Sequence, residues 1–402
     1  MTEYIAVDQA LNLVSSHLVP VAQRQSVRLE QSLGRILADP VQAAFDSPPF
    51  RRAAMDGYAF RASDSPGVFR VVGTVYAGRV WSRPLRAGEA LRVMTGAPIP
   101  DELDTVLEQE AVAPQNNITI RNRVPQGRNI MPQGHEYSAH SRVLEPGTRL
   151  RPIHIGQLAA LGFSRVVVWS IPNVLVLVTG NEVQTSRTSL RPGHIYDANG
   201  PLLRALLTQM GAQATVRYIR DNRQALLQTL MAARTQSYRL VITTGGVSVG
   251  ARDFLPDILQ EHFQRLFWRI DMHPGKATAA GLLAPGIPIL SLSGNPGAAL
   301  TAWYLLAAPL VARLTGQTYQ LATVRGTLLA PYPKATRETR YLKTRFVAQN
   351  GSIGFDLITN QSSDALRSFA EADGLVVVPH GSPPQPQGVT LNAWALPQGF
   401  AP

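Results

Sequence analysis

The chain has 402 residues, which at roughly 100–200 residues per domain predicts two to four domains. Hydrophobic residues make up 45% and charged residues only 16%, a balance that excludes a coiled coil and a charge-driven disordered chain. Cysteine is absent, which excludes disulfides, thiolate metal sites and cysteine nucleophiles. The net charge of +11 favours anionic partners such as phosphates, other oxyanions or nucleic acid.

The basic residues give no further sign of nucleic-acid binding, and the apolar residues give no sign of a membrane span. The lysines are Lys276, Lys334 and Lys343, and the remaining basic residues are arginines scattered without a basic helix. The N-terminus lacks the basic and apolar stretches of a signal peptide. The longest apolar runs, 166–178 and 298–314, each contain a proline and are shorter than the about 20 residues that a bilayer requires. We therefore expect a soluble, cytoplasmic protein with neither nucleic acid nor membrane as a partner.

The N-terminal part is predicted to begin with a helix and to continue as β-rich segments. Apolar residues at helical spacing predict the helix over 7–18. Residues 28–165 are mostly β-rich and irregular, and a helix is predicted over 153–161. The strand-like runs between the Gly and Pro turns are 69–75, 90–94 and 117–121.

From residue 173 onward, strands alternate with helices. The predicted strands are 174–178, 214–219, 240–243 and 287–292, and the predicted helices are 201–210, 224–234, 254–263 and 298–314. This alternation indicates a parallel sheet covered on both faces, so we predict a doubly wound α/β domain from about 171 to 316.

The chain after Gly316 is predicted to form a separate small β domain. Its strand-like runs are 324–330, 341–347, 354–358, 375–378 and 389–395. One short helix is predicted near 364–371.

Four polar or glycine-rich loops follow strands of the predicted α/β sheet. They are 179–182, 220–221, 244–253 and 293–296. Ligands bind at the carboxyl ends of such strands, and paired glycines let backbone amides approach an anion closely. An ordinary βα turn is the alternative for any one of these loops. Their convergence at one sheet edge favours an anion site, where the carboxylates of Glu182 and Asp253 would also meet around a hard divalent cation.

Several enzyme motifs are absent. The loop at 244–253 is neither a P-loop nor a dinucleotide-binding fingerprint. His135, Glu136 and His140 do not have the spacing of a zinc protease, and Gly-x-Ser-x-Gly does not occur.

Eight motifs occur in the order typical of one enzyme family. They are Pro49-Phe50 with Ala54-Met55-Asp56-Gly57-Tyr58-Ala59, Thr95-Gly96-Ala97-Pro98, Gly127-Arg128-Asn129-Ile130, Gly193-His194-Ile195-Tyr196-Asp197-Ala198-Asn199, Thr244–Gly250 with Asp253, Pro274-Gly275-Lys276, Gly294-Asn295-Pro296, and Gln361-Ser362-Ser363 with Ala372-Asp373-Gly374-Leu375. On these motifs the chain resembles the molybdopterin molybdenumtransferase family, which includes the C-terminal domain of gephyrin.

The resemblance implies a multidomain α/β plus β fold and an elongated homodimer. The four implied domains are a discontinuous helical linker domain (1–26 and 142–170), a β-rich domain (27–141), an α/β molybdopterin-binding domain (171–316) and a C-terminal β-barrel (317–402). In such proteins the site lies between the α/β domain of one subunit and the β-rich domain of the other.

The implied reaction is insertion of molybdate into adenylated molybdopterin with release of AMP, assisted by Mg²⁺ or another divalent cation. A molybdopterin adenylyltransferase would donate the substrate. The implied catalytic residues are Asp56, Thr95, Glu182, Asp221 and Asp253, of which Asp56, Glu182 and Asp253 would hold the metal. The residues implied to bind the pterin, its phosphate or the nucleotide are Gly245, Gly246, Ser248, His273, Lys276, Ser293, Asn295 and Pro296.

The chain departs from the family pattern at a few positions. Those close to the predicted site are Asn181 in place of aspartate, His273 in place of lysine, and Ala277 and Ser293 in place of proline, while His135-Glu136 replaces Glu-Asp. Two alternatives to the molybdate-inserting enzyme stay open: a gephyrin-like scaffold without catalysis and a paralogue that handles tungstate.

Overall fold

A computed structural model describes residues 4–20, 23–112, 116–186, 189–246, 254–349 and 351–397. The chain divides into two compact units. The first comprises Met1–Gln25, Gly34–Ile36 and Val168–Pro402, and the second comprises Ser26–Leu33 and Leu37–Val167. The division into four domains stays a prediction.

The elements of the N-terminal part agree with the predicted ones. The helices are α1 (Val7–Ser15) and α2 (Pro152–Ala160), with 3-10 turns at Leu29–Gln31, Ala62–Asp64 and Gln109–Ala111. The strands are β1 (Arg24–Arg28), β2 (Val41–Gln42), β3 (Arg52–Ala53), β4 (Gly57–Phe60), β5 (Gly67–Val75), β6 (Glu89–Val93), β7 (Thr105–Glu108), β8 (Asn117–Ile120), β9 (Ile130–Met131), β10 (Arg142–Leu144) and β11 (Arg165–Trp169).

A five-stranded sheet of order β7-β4-β6-β5-β8 forms the centre of the second unit. The four residues of β4 are buried, and β4 pairs antiparallel with both β6 and β7. Gly57 is opposite Val93 in this register. The residue just before β4 therefore lies beside the residues just after β6, which brings Asp56 next to Thr95.

The α/β region contains every helix and strand predicted for it, with ends shifted by at most two residues. Its elements are β12 (Asn173–Thr179), β13 (Val183–Gln184), β14 (Ile195–Tyr196), α3 (Asn199–Gln209), β15 (Gln213–Ile219), α4 (Arg223–Ala233), β16 (Tyr238–Thr244), α5 (Leu255–His262), β17 (Gln264–Trp268), β18 (Ala279–Ala284), β19 (Ile287–Leu292), α6 (Pro296–Ala302), a π-helical turn (Trp303–Ala307) and α7 (Ala308–Thr315).

The sheet of this region has the order β15-β12-β16-β19-β18-β17. The first four strands are parallel, and β12 alternates between the two faces: Val176 packs in the core that contains α3 and α7, and Leu177 packs in the core that contains α4 and α5. The parallel, doubly wound sheet is confirmed, and at one edge two strands that were not predicted extend it: β18 pairs antiparallel with both β19 and β17.

The helical run Pro296–Thr315 corrects the expectation that no apolar segment reaches the length of a membrane span. It has 20 residues, and its mean hydropathy meets the criterion for a span. However, 89% of the 18-residue window that meets this criterion is buried inside the protein, where Trp303 and Leu310 pack in the main core. The run therefore serves as a core helix of the α/β region.

The C-terminal region is a closed five-stranded barrel, as the resemblance implied. Its elements are β20 (Thr323–Leu328), β21 (Arg340–Gln349), β22 (Ser352–Leu357), α8 (Leu366–Ala370), β23 (Gly374–Val378) and β24 (Thr390–Ala395), with barrel order β20-β22-β21-β23-β24. Lys343 of β21 is 1% exposed, and its ammonium group donates to the Ser362 carbonyl at 3.0 Å. This contact ties the loop after β22 to the barrel wall.

Candidate functional site

A cavity of about 730 Å³ lies at the carboxyl edge of the α/β sheet. Parallel strands bring their carboxyl ends to one edge, so the loops after β12, β15, β16 and β19 meet there. The predicted site residues that line the cavity are Glu182, Asp221, Gly245, Gly246, His273, Lys276, Ser293, Asn295 and Pro296. Ser248 and Asp253 lie outside the described residues. The sequence therefore predicts the location of the cavity, and the roles of its residues stay predictions.

Two of the predicted acidic residues are on adjacent loops. Asn181 N donates to Asp221 Oδ2 at 3.1 Å, and Asp221 N donates to Asn181 Oδ1 at 3.2 Å. An amide at position 181 makes this contact without placing a second negative charge beside Asp221, which gives a physical reason for the departure from aspartate. Glu182 is exposed, and its carboxylate folds back toward Gly180.

The glycine turn after β16 is held tightly against β12. Gly245 and Gly246 have φ values of +85° and +70°, which side-chain-bearing residues rarely adopt. A Cβ on Gly245 would lie 2.7 Å from Thr179 Oγ1 and 2.9 Å from the Thr179 carbonyl oxygen. Thr179 Oγ1 in turn donates to the Thr244 carbonyl at 3.1 Å. The close approach of these backbones therefore requires glycine at 245.

The turn after β19 is anchored from two directions. Asn295 Nδ2 donates to Ser363 Oγ of the barrel at 2.9 Å, and Asn199 Nδ2 donates to the Gly294 carbonyl at 2.8 Å. Asn295 N also donates to Ser293 Oγ at 3.2 Å, a contact that the usual proline at 293 lacks. The barrel and α3 thus both shape the wall of the cavity at this turn.

Lys276 and His273 are the basic side chains that line the cavity from the segment before β18. Lys276 Nζ donates to Glu338 Oε1 at 2.6 Å, and this hydrogen bond raises the pKa of Lys276 above its ordinary value. Burial, reinforced by the nearby Arg340, lowers the pKa of His273. Lys276 is therefore charged at neutral pH and His273 is neutral, so the two residues are not equivalent anion ligands.

His273 is expected to make folding less favourable as the solution is acidified. In the unfolded chain this imidazole is protonated near its ordinary pKa of about 6.5, whereas in the folded protein it is protonated only at a lower pH. The lowered pKa thus contributes stability that is present above about pH 6.5 and is lost below it. We expect the melting temperature of His273→Gln to fall less than that of the wild type between pH 7.5 and pH 5.5. Parallel losses in the two proteins would show that His273 does not act in this way.

Asp56 and Thr95 form a contact within the second unit. Thr95 donates to Asp56 Oδ1 from its backbone N at 2.7 Å and from its Oγ1 at 2.8 Å. These hydrogen bonds hold the pKa of Asp56 below its ordinary value, first through the backbone donor and then through the hydroxyl. The structure therefore brings together two predicted site residues that are 39 positions apart and fixes Asp56 as a carboxylate.

The cavity is also lined by polar residues outside the predicted set, among them Asp197, Asn199 and Ser363. Asp197 accepts hydrogen bonds from Gly200 N at 3.0 Å and from Tyr218 Oη at 2.9 Å. Asn199 and Ser363 line the same cavity. All three belong to motifs that carry the family resemblance. The motifs at 193–199 and 361–363 could therefore have identified them as candidate site residues.

The described residues offer oxygen ligands, which is the type of ligand that a hard cation binds. Glu182 and Asp221 present carboxylate oxygens to one cavity, and Mg²⁺ prefers oxygen ligands. Within the described ranges, no group of three or more His, Asp or Glu side chains is close enough to hold a metal ion. A complete cation site would therefore have to include Asp253, a water molecule or the substrate.

Three family models together match most of the chain. They are the MoeA N-terminal region (domain I and II) over 5–162, the probable molybdopterin binding domain over 175–313 and the MoeA C-terminal region (domain IV) over 325–394.

Similar proteins match over nearly their whole length. A molybdopterin molybdenumtransferase of Staphylococcus epidermidis is 33% identical over 391 residues, which cover 94% of this chain and 92% of the relative. One from Staphylococcus aureus (strain Mu50) is 33% identical over 370 residues, covering 89% and 87%. A crystal structure of a molybdopterin biosynthesis MoeA protein from Pyrococcus horikoshii aligns with a TM-score of 0.83 at 28% identity, covering 98% of this chain and 99% of that one. The chain belongs to the molybdopterin molybdenumtransferase family of molybdenum cofactor biosynthesis.

Proposed function

We propose that the protein inserts molybdate into adenylated molybdopterin and releases AMP. The observation that carries the proposal is the cavity at the sheet edge, where Lys276 and the Gly245-Gly246 turn lie in the same site as the carboxylates of Glu182 and Asp221. The substrates are a phosphoanhydride and an oxyanion, and both are negatively charged. The site therefore needs groups that donate hydrogen bonds to anions, and it needs a cation through which its acidic residues can act. Relatives named as transferases along almost the whole chain favour this enzyme over a scaffold.

The groups that bind the anions in this proposal are the ammonium group of the lysine and the backbone amides. Lys276 contacts a phosphate or molybdate oxygen, and the Gly245-Gly246 turn binds the pterin phosphate. Asn295, Ser293 and Pro296 shape the pocket for the rest of the ligand. Thr95 positions Asp56 from the β-rich part of the chain, because both of its donors bind that carboxylate.

The acidic residues require a divalent cation, for which we propose Mg²⁺. Glu182, Asp253 and Asp56 would hold it, and Asp221 orders the loop beside Glu182 through Asn181. When bound, the cation would neutralise and polarise the phosphoanhydride. A molybdopterin adenylyltransferase is the proposed donor of the substrate, and the cytoplasm is the proposed location.

We also propose that the protein is a homodimer. The predicted site residues are divided between the two compact units, with Asp56 and Thr95 in one and the cavity in the other. The family resemblance implies that such halves meet across two subunits. Light scattering at micromolar concentration should give close to twice 43.7 kDa. A monomer with full activity would contradict the shared site.

The activity itself is tested by chromatographic detection of AMP. Wild-type protein is incubated with adenylated molybdopterin and molybdate, with and without Mg²⁺. We expect AMP release that requires the protein and both substrates and that stops when EDTA is added. AMP release that continues in EDTA would reject the cation, and no release under any condition would reject the proposed function.

A further inference from the structure

The cavity lysine is paired with a carboxylate that comes from the barrel. Lys276 Nζ lies 2.6 Å from Glu338 Oε1 and 4.6 Å from the centroid of the Tyr4 ring. The Lys276 side chain is 39% exposed, whereas that of Glu338 is only 12% exposed. The carboxylate therefore neutralises Lys276 from the protein side, and the ammonium group still lines the cavity.

The backbone around Glu338 is fixed against the segment that carries the lysine. Thr339 donates to Asp271 from its backbone N at 3.2 Å and from its Oγ1 at 2.9 Å. His273 N donates to the Thr339 carbonyl at 2.8 Å, and Tyr341 N donates to the His273 carbonyl at 2.9 Å. Glu338 is thus held beside Lys276 by its neighbours and is not a freely moving surface side chain.

Both members of the pair are charged at neutral pH. Burial raises the pKa of Glu338, but the hydrogen bond and charge of Lys276 outweigh burial, and the net pKa is below its ordinary value. Arg340 and His273 also act on Glu338. An anion that approaches Lys276 is therefore attracted by the ammonium group and repelled by a carboxylate a few ångströms behind it.

We propose that Glu338 is a specificity-determining residue that weakens the binding of small oxyanions at Lys276. The proposal rests on the use of Lys276 as an anion ligand in the proposed function. Because Glu338 already balances the lysine, a free phosphate ion gains little from Lys276 alone. A ligand whose phosphate belongs to a larger molecule also contacts the glycine turn and the other cavity walls, and it therefore retains its affinity.

Glu338→Gln tests the proposal because it removes the charge but keeps a hydrogen-bond acceptor of the same size. Binding of inorganic phosphate and of AMP is measured by isothermal titration calorimetry at constant ionic strength. We expect the dissociation constant for free phosphate to fall on the order of tenfold and that for AMP to fall by less, because AMP also contacts the other cavity walls. The matched control is Glu371→Gln, which removes a barrel carboxylate that pairs with Arg345 and Arg367 and should leave both constants unchanged.

Three further variants decide how the effect arises. Lys276→Met should weaken AMP binding, and adding Glu338→Gln to it should recover part of the affinity, because the carboxylate left without its lysine repels the anion directly. Glu338→Asp draws the carboxylate back from Lys276 and should give an intermediate gain, which keeps the test available if the glutamine variant misfolds.

Unchanged or weaker phosphate binding in folded Glu338→Gln or Glu338→Asp would overturn the proposal, as would a Lys276→Met variant with wild-type affinity. AMP release by wild-type protein is measured separately. The proposed activity and this inference can therefore fail independently.

Discussion

Glu182→Gln is expected to slow AMP release by roughly 10²–10³-fold while the affinity for the pterin substrate stays within about tenfold of wild type. Glu182 lies at the sheet edge in the same cavity as Lys276, and its carboxylate is a proposed ligand of the divalent cation. Glutamine has the same shape without the charge, so it removes the electrostatic contribution and leaves the pocket in place. Single-turnover assays at saturating substrate separate the slow chemical step from weak binding.

The control for Glu182→Gln is Glu261→Gln, which makes the same change in charge on α5. Glu261 pairs with Arg223 on the surface of the α/β region and does not line the cavity. We expect this control to keep the wild-type rate. AMP release at the wild-type rate in Glu182→Gln would remove Glu182 from the catalytic residues. Complete loss of pterin binding would instead assign it to holding the loop.

Gly245→Ala is expected to reduce both stability and pterin binding. Alanine at a φ of +85° is strained, and its Cβ would come within 2.9 Å of the Thr179 backbone carbonyl, which cannot move without displacing β12. We expect a loss of about 1–3 kcal/mol, seen as a lower denaturant midpoint, and at least about tenfold weaker pterin binding because the backbone amides of the turn shift.

Gly193→Ala is the matched control for Gly245→Ala. Gly193 has a similar φ of +75°, but nothing lies within 4 Å of its added Cβ. This variant should therefore show only the cost of backbone strain, and the difference between the two variants measures the contact with Thr179. Equal losses in both would contradict the importance of the close approach.

The sequence predicts the α/β region well because its local signals agree with one another. The strands are short apolar runs, the helices have apolar residues at helical spacing, and the polar loops follow the strands directly. Alternation of this kind leaves few topologies, and parallel strands place their carboxyl ends at one edge. The cavity with Glu182, Asp221 and Gly245 is therefore predictable without any resemblance.

Other features depend on contacts between distant segments. The segment 279–284 reads Ala-Ala-Gly-Leu-Leu-Ala, which lacks β-branched residues, and it becomes a strand through antiparallel pairing with β19. The π-helical turn at Trp303–Ala307 likewise has no local signal. The partners of Lys276 and Asn295 are Glu338 and Ser363 from the barrel, 62 and 68 positions away. Periodicity within a segment carries no information about such pairs.

Mass spectrometry of the pterin product is the measurement that tests the central claim most directly. The protein is incubated with adenylated molybdopterin, molybdate and Mg²⁺, and the pterin fraction is separated and its mass determined. We expect a molybdenum-containing molybdopterin, recognised by the isotope pattern of the metal, to form in step with AMP and to be missing when the protein is left out. AMP formation with a pterin that contains no molybdenum would contradict molybdate insertion, and recovery of unchanged adenylated molybdopterin would contradict the activity altogether.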